Sequence, residues 1–248
     1  SVARAAAFSV DGLMATRAIE YPVRAPKDAE AMFDVLTYEK GASVLRMLEQ
    51  YIGPTVFRDG VRQYLRTHAY GNADTKDLWT AIGAVAQQPI PELMNGRIFQ
   101  PGLPLITAEM HGQTLKLSQQ RFTYLRQESP SEQLWHIPIQ IRLTIGDRTE
   151  EQQILLTDRE TTVPLPSGVT ALLVNEGGHG FYRVHHRETL LHQLLDQDHD
   201  RLAPIERFNL VSDAWATTVA GLMPLGDYLK LTARFKSERD KNVWSVLL

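Results

Sequence analysis

The chain has 248 residues, 43% of them apolar, with 26 Lys and Arg against 29 Asp and Glu, a formal net charge of −3, and no cysteine. Such a composition buries a core and excludes a disordered or collagen-like polymer. It also excludes a disulfide framework, a thiolate metal site and a cysteine nucleophile, and it leans towards a reducing, cytoplasmic compartment.

Val2, Ala3, Ala5, Ala6, Ala7 and Phe8 open the chain as the interior of a helix would. From Lys27 to about Arg97 apolar residues recur at helical spacing: Met32, Phe33 and Leu36, then Val44, Leu45 and Leu48, then Val56, Phe57, Val61, Tyr64 and Leu65. Pro54 and Pro91 suit helix starts and Gly53 a helix end. This predicts helices near 28–35, 38–52, 54–69, 75–87 and 91–98.

From about Leu105 the period drops to two. Ile137, Ile139, Ile141, Leu143 and Ile145 alternate with Pro138, Gln140, Arg142 and Thr144, which predicts a strand with one buried and one wet face. Further strands are expected at Leu105–Glu109, Gln113–Ser118, Gln152–Thr157, Glu160–Pro164, Ala171–Val174 and Gly180–Val184, with turns at His111–Gly112 and Gly146–Asp147. Short strands with no helices between them predict an antiparallel sandwich. Pro138 places its strand at an edge or a bulge.

After Arg187 the helical period returns with Leu190, Leu191, Leu194 and Leu195. Pro204 then opens a longer helix through Phe208, Leu210, Val211, Trp215 and Val219. The chain stops on Val243, Trp244, Val246, Leu247 and Leu248, an apolar stripe without a cap, so both ends read as cut. No segment reaches the roughly 20 apolar residues of a membrane helix. No region is basic: 11 basic against 11 acidic residues in 1–104, 8 against 11 in 105–197, 7 against 7 in 198–248. Neither a membrane nor a nucleic acid is expected as a partner.

Candidate chemistry is sparse. None of the eight histidines is followed by Glu, so the His-Glu-x-x-His helix of zinc peptidases is absent from the chain. The nearest metal-like group is His185, His186, Glu188 and His192, for which a solvated helix start is the better reading. No G-x-S-x-G elbow occurs. Gly177, Gly178 and Gly180 around His179 fit neither G-x-G-x-x-G nor a P-loop, and read as a turn. Tyr38 remains: a phenol with a pKa near 10 stays protonated at neutral pH and can donate to a developing oxyanion, although a tyrosine beside an amphipathic helix is more often a packing residue.

The stretch Phe33 to Leu48, FDVLTYEKGASVLRML, resembles the segment that follows the zinc-binding helices in the aminopeptidase N family of zinc metallopeptidases. VDGLMATRAIEYPV at 10–23 is similar to the family's Ser-His-Pro stretch, with Arg17 and Ala18 where His and Pro are usual. GPTVFRDGVRQYLRTHAYGNADTKDLWTAI at 53–82 resembles the next two helices, and FQPGLPLI at 99–106 the end of the catalytic domain. LWHIPIQI at 134–141 and LLVNEGGHGFYRVHH at 172–186 look like the following β-sandwich, and the segment from Arg201 looks like the opening of the large helical domain.

The resemblance implies a multidomain α and β chain. Residues 1–104 would be the helical rear half of a thermolysin-like catalytic domain, 105–186 an antiparallel β-sandwich, and 187–248 the start of a superhelical α domain. It implies that Tyr38 donates a hydrogen bond to the tetrahedral intermediate. Gly41, one turn later, either leaves room near the substrate or serves helix packing. The H-E-x-x-H helix, the later zinc-ligand glutamate and the Gly-x-Met-Glu-Asn strand are missing and would precede Ser1; Asn175–Glu176–Gly177 mimics three letters around that glutamate but belongs to the sandwich and is given no metal role. The expectation is an internal fragment of a zinc-dependent aminopeptidase acting on peptides. The zinc would belong to the longer parent, none would be bound here, the partners would be the other domains of the same polypeptide, and the fragment would be inactive alone. The competing expectation is a non-catalytic relative or a protein-interaction module.

Overall fold

The computed structural model describes residues 2–125 and 131–247, with the side chains of Val2, Ala3 and Glu188 outside that description. Helices α1 (Val2–Asp11) and α2 (Pro26–Glu30) lead to a π-helical turn (Leu36–Lys40) that continues directly into α3 (Gly41–Ile52). Then come α4 (Pro54–Thr67), α5 (Thr75–Ala86) and α6 (Ile90–Ile98). Gly53 separates α3 from α4 at φ 87°, a left-handed setting that a side chain would strain, and Pro54 occupies the first turn of α4.

The helix expected at 28–35 does not form as one piece. The Asp34 carboxylate accepts from the backbone N–H groups of Leu36 and Thr37 at 2.9 and 3.0 Å, so a fresh helix start forms where a continuous helix would have run through. Tyr38 therefore sits within a wide turn. Here the N–H of Gly41 reaches back to the carbonyl of Leu36.

Strands β1 (Pro104–His111), β2 (Thr114–Arg121), β3 (Ile137–Ile145), β4 (Arg148–Leu156), β5 (Glu160–Pro164), β6 (Val169–Val174) and β7 (Arg183–His186) follow. They form one sheet of order β5-β2-β1-β7 and one of order β4-β3-β6. Leu105, Leu115 and Leu117 from the first meet Ile137, Ile139, Ile141 and Leu172 from the second in one core. That core continues without a break into Val44, Leu48, Ile82 and Met94 of the helices.

Three strand expectations need correction. The sheets are not wholly antiparallel: β7 leaves the second sheet's side and returns along the free edge of β1, running parallel to it (Leu105 opposite Arg183). The last strand begins at Arg183 rather than Gly180, because residues 175–182 are consumed by a turn with Asn175, Gly177 and Gly178 all at positive φ. The second face of β3 is not wet. Gln140 donates to the carbonyl of Gln50 on α3, and Arg142 and Thr144 are buried against carboxylates from the helices that follow. As for Pro138, β3 is central, but β6 pairs with it only from Ile141 onward, so at Pro138 the strand has β4 alone as a neighbour; the bulge falls at Thr144/Ile145.

Helices α7 (Glu188–Gln197), α8 (Pro204–Val219), α9 (Leu225–Thr232) and α10 (Lys241–Leu247) close the chain around a second core of Leu194, Val211, Leu231 and Val243. Buried ion pairs join these helices to the sheets. Arg142 donates to Asp198 at 3.1 Å and to both Glu206 oxygens at 3.1 and 3.2 Å. Arg183 donates to Asp213 at 2.9 Å and stacks near Phe8 and Phe122. No described helix is long and apolar enough to cross a membrane.

Candidate functional site

Tyr38 projects from the π-helical turn and is 56% exposed, with the exposed ring of Phe33 6.3 Å away. Its N–H donates to the carbonyl of Asp34 at 3.1 Å. Asp34 is held in turn. Arg17 donates to its carboxylate at 2.6 Å and to the Thr37 hydroxyl at 3.0 Å, while its other amino group donates to the carbonyls of Ala18 and Ile19. Burial acts upwards on the Asp34 carboxyl, but the Thr37 and Leu36 amides and Arg17 outweigh it and leave the pKa below its ordinary value. Arg17, which stands where the resembled family has His, thus fastens the loop before α2 to the start of the Tyr38 turn.

The other end of the turn is held from inside. Lys40 Nζ lies 2.9 Å from Asp11 Oδ2 and donates to the carbonyl of Gly102 at 3.2 Å. Burial pushes the Lys40 ammonium below its usual pKa, with the Asp11 charge pulling the other way. Nearby, the fully enclosed Arg97 donates to the carbonyl of Phe181 at 2.8 Å, and burial brings its pKa down to about 10, so it remains a cation at neutral pH. Sequence reading missed these charges. A signal was present: Lys40 falls on the stripe Leu36, Val44, Leu48 at spacings of four, and Asp11 falls on the stripe of Ala7 and Phe8. A charge on an apolar stripe calls for a buried partner.

Gly41 has helical backbone angles and nothing within 4 Å of where a Cβ would stand, so close packing does not require a glycine there. The histidine group does not assemble as a ligand set. His186 is buried and its Nε2 accepts from the Val174 N–H at 3.3 Å; burial, then His185, pushes its pKa down to about 3. Burial and Arg187 push His185 to about 4, and His192 is exposed. The side chain of Glu188 lies outside the described residues. Among the described residues no group of three or more His, Asp or Glu is placed to hold a metal ion. Glu176 lies 3.4 Å from Arg142, and burial with the charges of Glu206 and Glu151 raises its pKa.

Two cavities among the described residues lie away from Tyr38, which lines neither. One, of about 720 Å³, lies between Glu20, Asp74, Glu92, Phe99 and His136. The other, of about 620 Å³, lies between β7, α7 and α9, beside His185, Leu195, Met223 and Arg234. Leu13, Met14, Val23 and Phe33 are exposed as well.

Residues 2–96 match the Peptidase family M1 domain, and residues 171–248 match the ERAP1-like C-terminal domain. Among similar curated proteins is a probable aminopeptidase 1 of Saccharolobus solfataricus, 36% identical over 230 residues, which cover 92% of this chain and 28% of that protein. Aminopeptidase M1 of Arabidopsis thaliana is 32% identical over 255 residues, 96% of this chain and 29% of that protein. Tricorn protease-interacting factor F2 of Thermoplasma acidophilum is 31% identical over 234 residues, 94% of this chain and 28% of that protein. The chain therefore spans less than a third of the length of these relatives.

Proposed function

This chain belongs to the M1 peptidase family, and from that premise we propose that it is a segment of a longer zinc-dependent aminopeptidase that removes N-terminal residues from peptides, in which Tyr38 stabilises the transition state. In this reading residues 1–104 are the rear of a thermolysin-like catalytic domain, 105–186 its sandwich and 187–248 the opening of a superhelical domain. The observation that carries it is the setting of Tyr38: an exposed phenol on a turn clamped at both ends by ion pairs, in a chain with relatives named aminopeptidases among those it matches.

The residues present do not suit zinc. The buried His186 spends its Nε2 lone pair on a backbone N–H, and no cluster of ligands forms among the described residues. The metal's part is assigned to polypeptide outside this segment. The chain's own contribution is a neutral donor held in place before the reaction. The Tyr38 hydroxyl donates to the oxygen that gains negative charge as water adds to the peptide carbonyl, and it does so more strongly in the transition state than in the ground state. Because the turn is already fastened, little reorganisation is needed at that moment.

Removal of one such donor typically costs about 10²–10³ in rate. Tyr38→Phe in the longer polypeptide should lower kcat by that order while leaving its circular dichroism unchanged; near-normal turnover would reject the assignment. The segment expressed alone should show no aminopeptidase activity and no stoichiometric zinc by elemental analysis.

A further inference from the structure

Two charged side chains occupy positions where the helix pattern calls for apolar ones. Lys40 and Asp11 are 1% and 0% exposed, as deeply enclosed as the core leucines Leu36 and Leu48. A single ion so enclosed is strongly disfavoured, and a pair is commonly no more stabilising than well-packed apolar residues of the same volume. Stability alone therefore gives no reason for this pair. What it supplies is direction. Asp11 Oδ1 accepts from the N–H of Gly102 at 3.1 Å and from Thr16 at 2.9 Å, while Lys40 donates to the carbonyl of the same Gly102. The two charges thus grip one peptide residue by both its donor and its acceptor. Gly102, at φ 88°, lies in the link between α6 and β1. The end of α1, the Tyr38 turn and the entry to the first sheet are fixed to one another at this point.

Tyr38 precedes Lys40 by two residues. Two positions apart on a helical turn, the two side chains leave it on nearly opposite sides, Lys40 into the core and Tyr38 into solvent. Rotation of the turn about its axis would swing both together. To the packing of the buried Leu36 on the same turn, a charge pair with fixed partners adds a directional contact with one favourable setting. We propose that Lys40, held by Asp11, is a positioning residue for Tyr38, setting the rotation of the π-helical turn and so the direction in which the phenol points. This rests on the reading of Tyr38 as the oxyanion donor.

The test uses the longer polypeptide with an amino-acid p-nitroanilide as substrate, and four proteins: the parent sequence, Tyr38→Phe, the pair Asp11→Asn with Lys40→Met, and all three changes together. Lys40→Met alone would leave Asp11 charged without its ion-pair partner. The paired change removes both charges of the ion pair together, keeps the Oδ1 acceptor and keeps the unbranched stem. Misplacement of a catalytic group by about 1 Å costs on the order of 10²-fold. The paired change should therefore lower kcat about 10- to 100-fold, with KM within about twofold because neither residue touches substrate. In the Tyr38→Phe background the same pair should change kcat by less than about twofold, since the group it positions is gone. Equal losses in both backgrounds would show a general structural role and overturn the proposal, as would an undiminished kcat in the first. Near-normal turnover of Tyr38→Phe alone would instead reject the oxyanion reading on which the proposal stands.

Discussion

Glycine to alanine in a helix interior gains about 0.8–1 kcal/mol by propensity alone, so the same substitution at Gly41 and Gly60 separates propensity from packing. Both residues lie in helices. At Gly41 a new methyl group meets nothing within 4 Å, and the full gain should appear. At Gly60 the new Cβ would stand 2.8 Å from Ile82 Cα, 3.0 Å from its Cγ1 and 3.2 Å from its Cβ. Favourable carbon contacts lie at about 3.5–4.0 Å, so α4 and α5 would have to separate by several tenths of an ångström. The obstructing atom is backbone, and α5 is pinned by the buried Trp79, Ala81 and Ile82, so no rotamer change relieves it. Overpacking of this kind costs about 1–3 kcal/mol, and against a rigid neighbour the upper half of that range applies. Subtracting the propensity gain leaves Gly60→Ala about 1–2 kcal/mol less stable. For a chain of this length 1 kcal/mol moves Tm by about 2–4 °C. Differential scanning of the two variants should show Gly41→Ala melting higher than the parent and Gly60→Ala lower. Equal upward shifts would refute the packing argument and with it the placement of α5 against α4.

Arg142→Met should cost about 3–5 kcal/mol, read from the urea midpoint, because it removes the cation that the buried Asp198 and Glu206 carboxylates share; a loss under about 0.5 kcal/mol would contradict the burial of that network. Hydrogen bonds from Arg207 first, then from the amides of Asp240 and Arg239, pull Glu238 from 4.5 down to about 2. Its stabilisation is thus complete above about pH 4.5 and is lost as pH falls towards 2, and Glu238→Gln should flatten the acid limb of a stability curve over that interval. His186, lowered from 6.5 to about 3, binds its proton more readily in the unfolded chain, so its contribution is whole above about pH 6.5 and declines as the solution is acidified. The ring resonances of His186 should stay constant from about pH 8 to 5 in nuclear magnetic resonance spectra, and a midpoint near 6.5 would refute its burial.

Much of the scaffold was legible in residue order. Local rules carried α3 to α6, because Pro54 and Gly53 punctuate the chain and the apolar positions repeat at helical spacing over whole turns. The same holds for Glu160–Pro164, which forms as expected, and for the turn of glycines at 177 and 178, where positive φ selects glycine. Tyr38 was marked by the residues around it. The break at Asp34 was not, since one carboxylate capping two amides competes with helix continuation on terms that periodicity does not record.

What residue order alone determined is the succession of helices, strands and helices, together with the kinship of its segments, since these depend on neighbours within a few positions. The tertiary structure alone decided that β7 runs parallel beside β1, that the polar face of β3 is covered, and that Lys40 and Asp11 share one enclosed site. Each of these is a contact between residues tens of positions apart. A charge on an apolar stripe shows that some partner must exist, but only the folded chain brings Asp11, Lys40 and Gly102 together, because the low-dielectric core makes each charge acceptable solely where the other already stands.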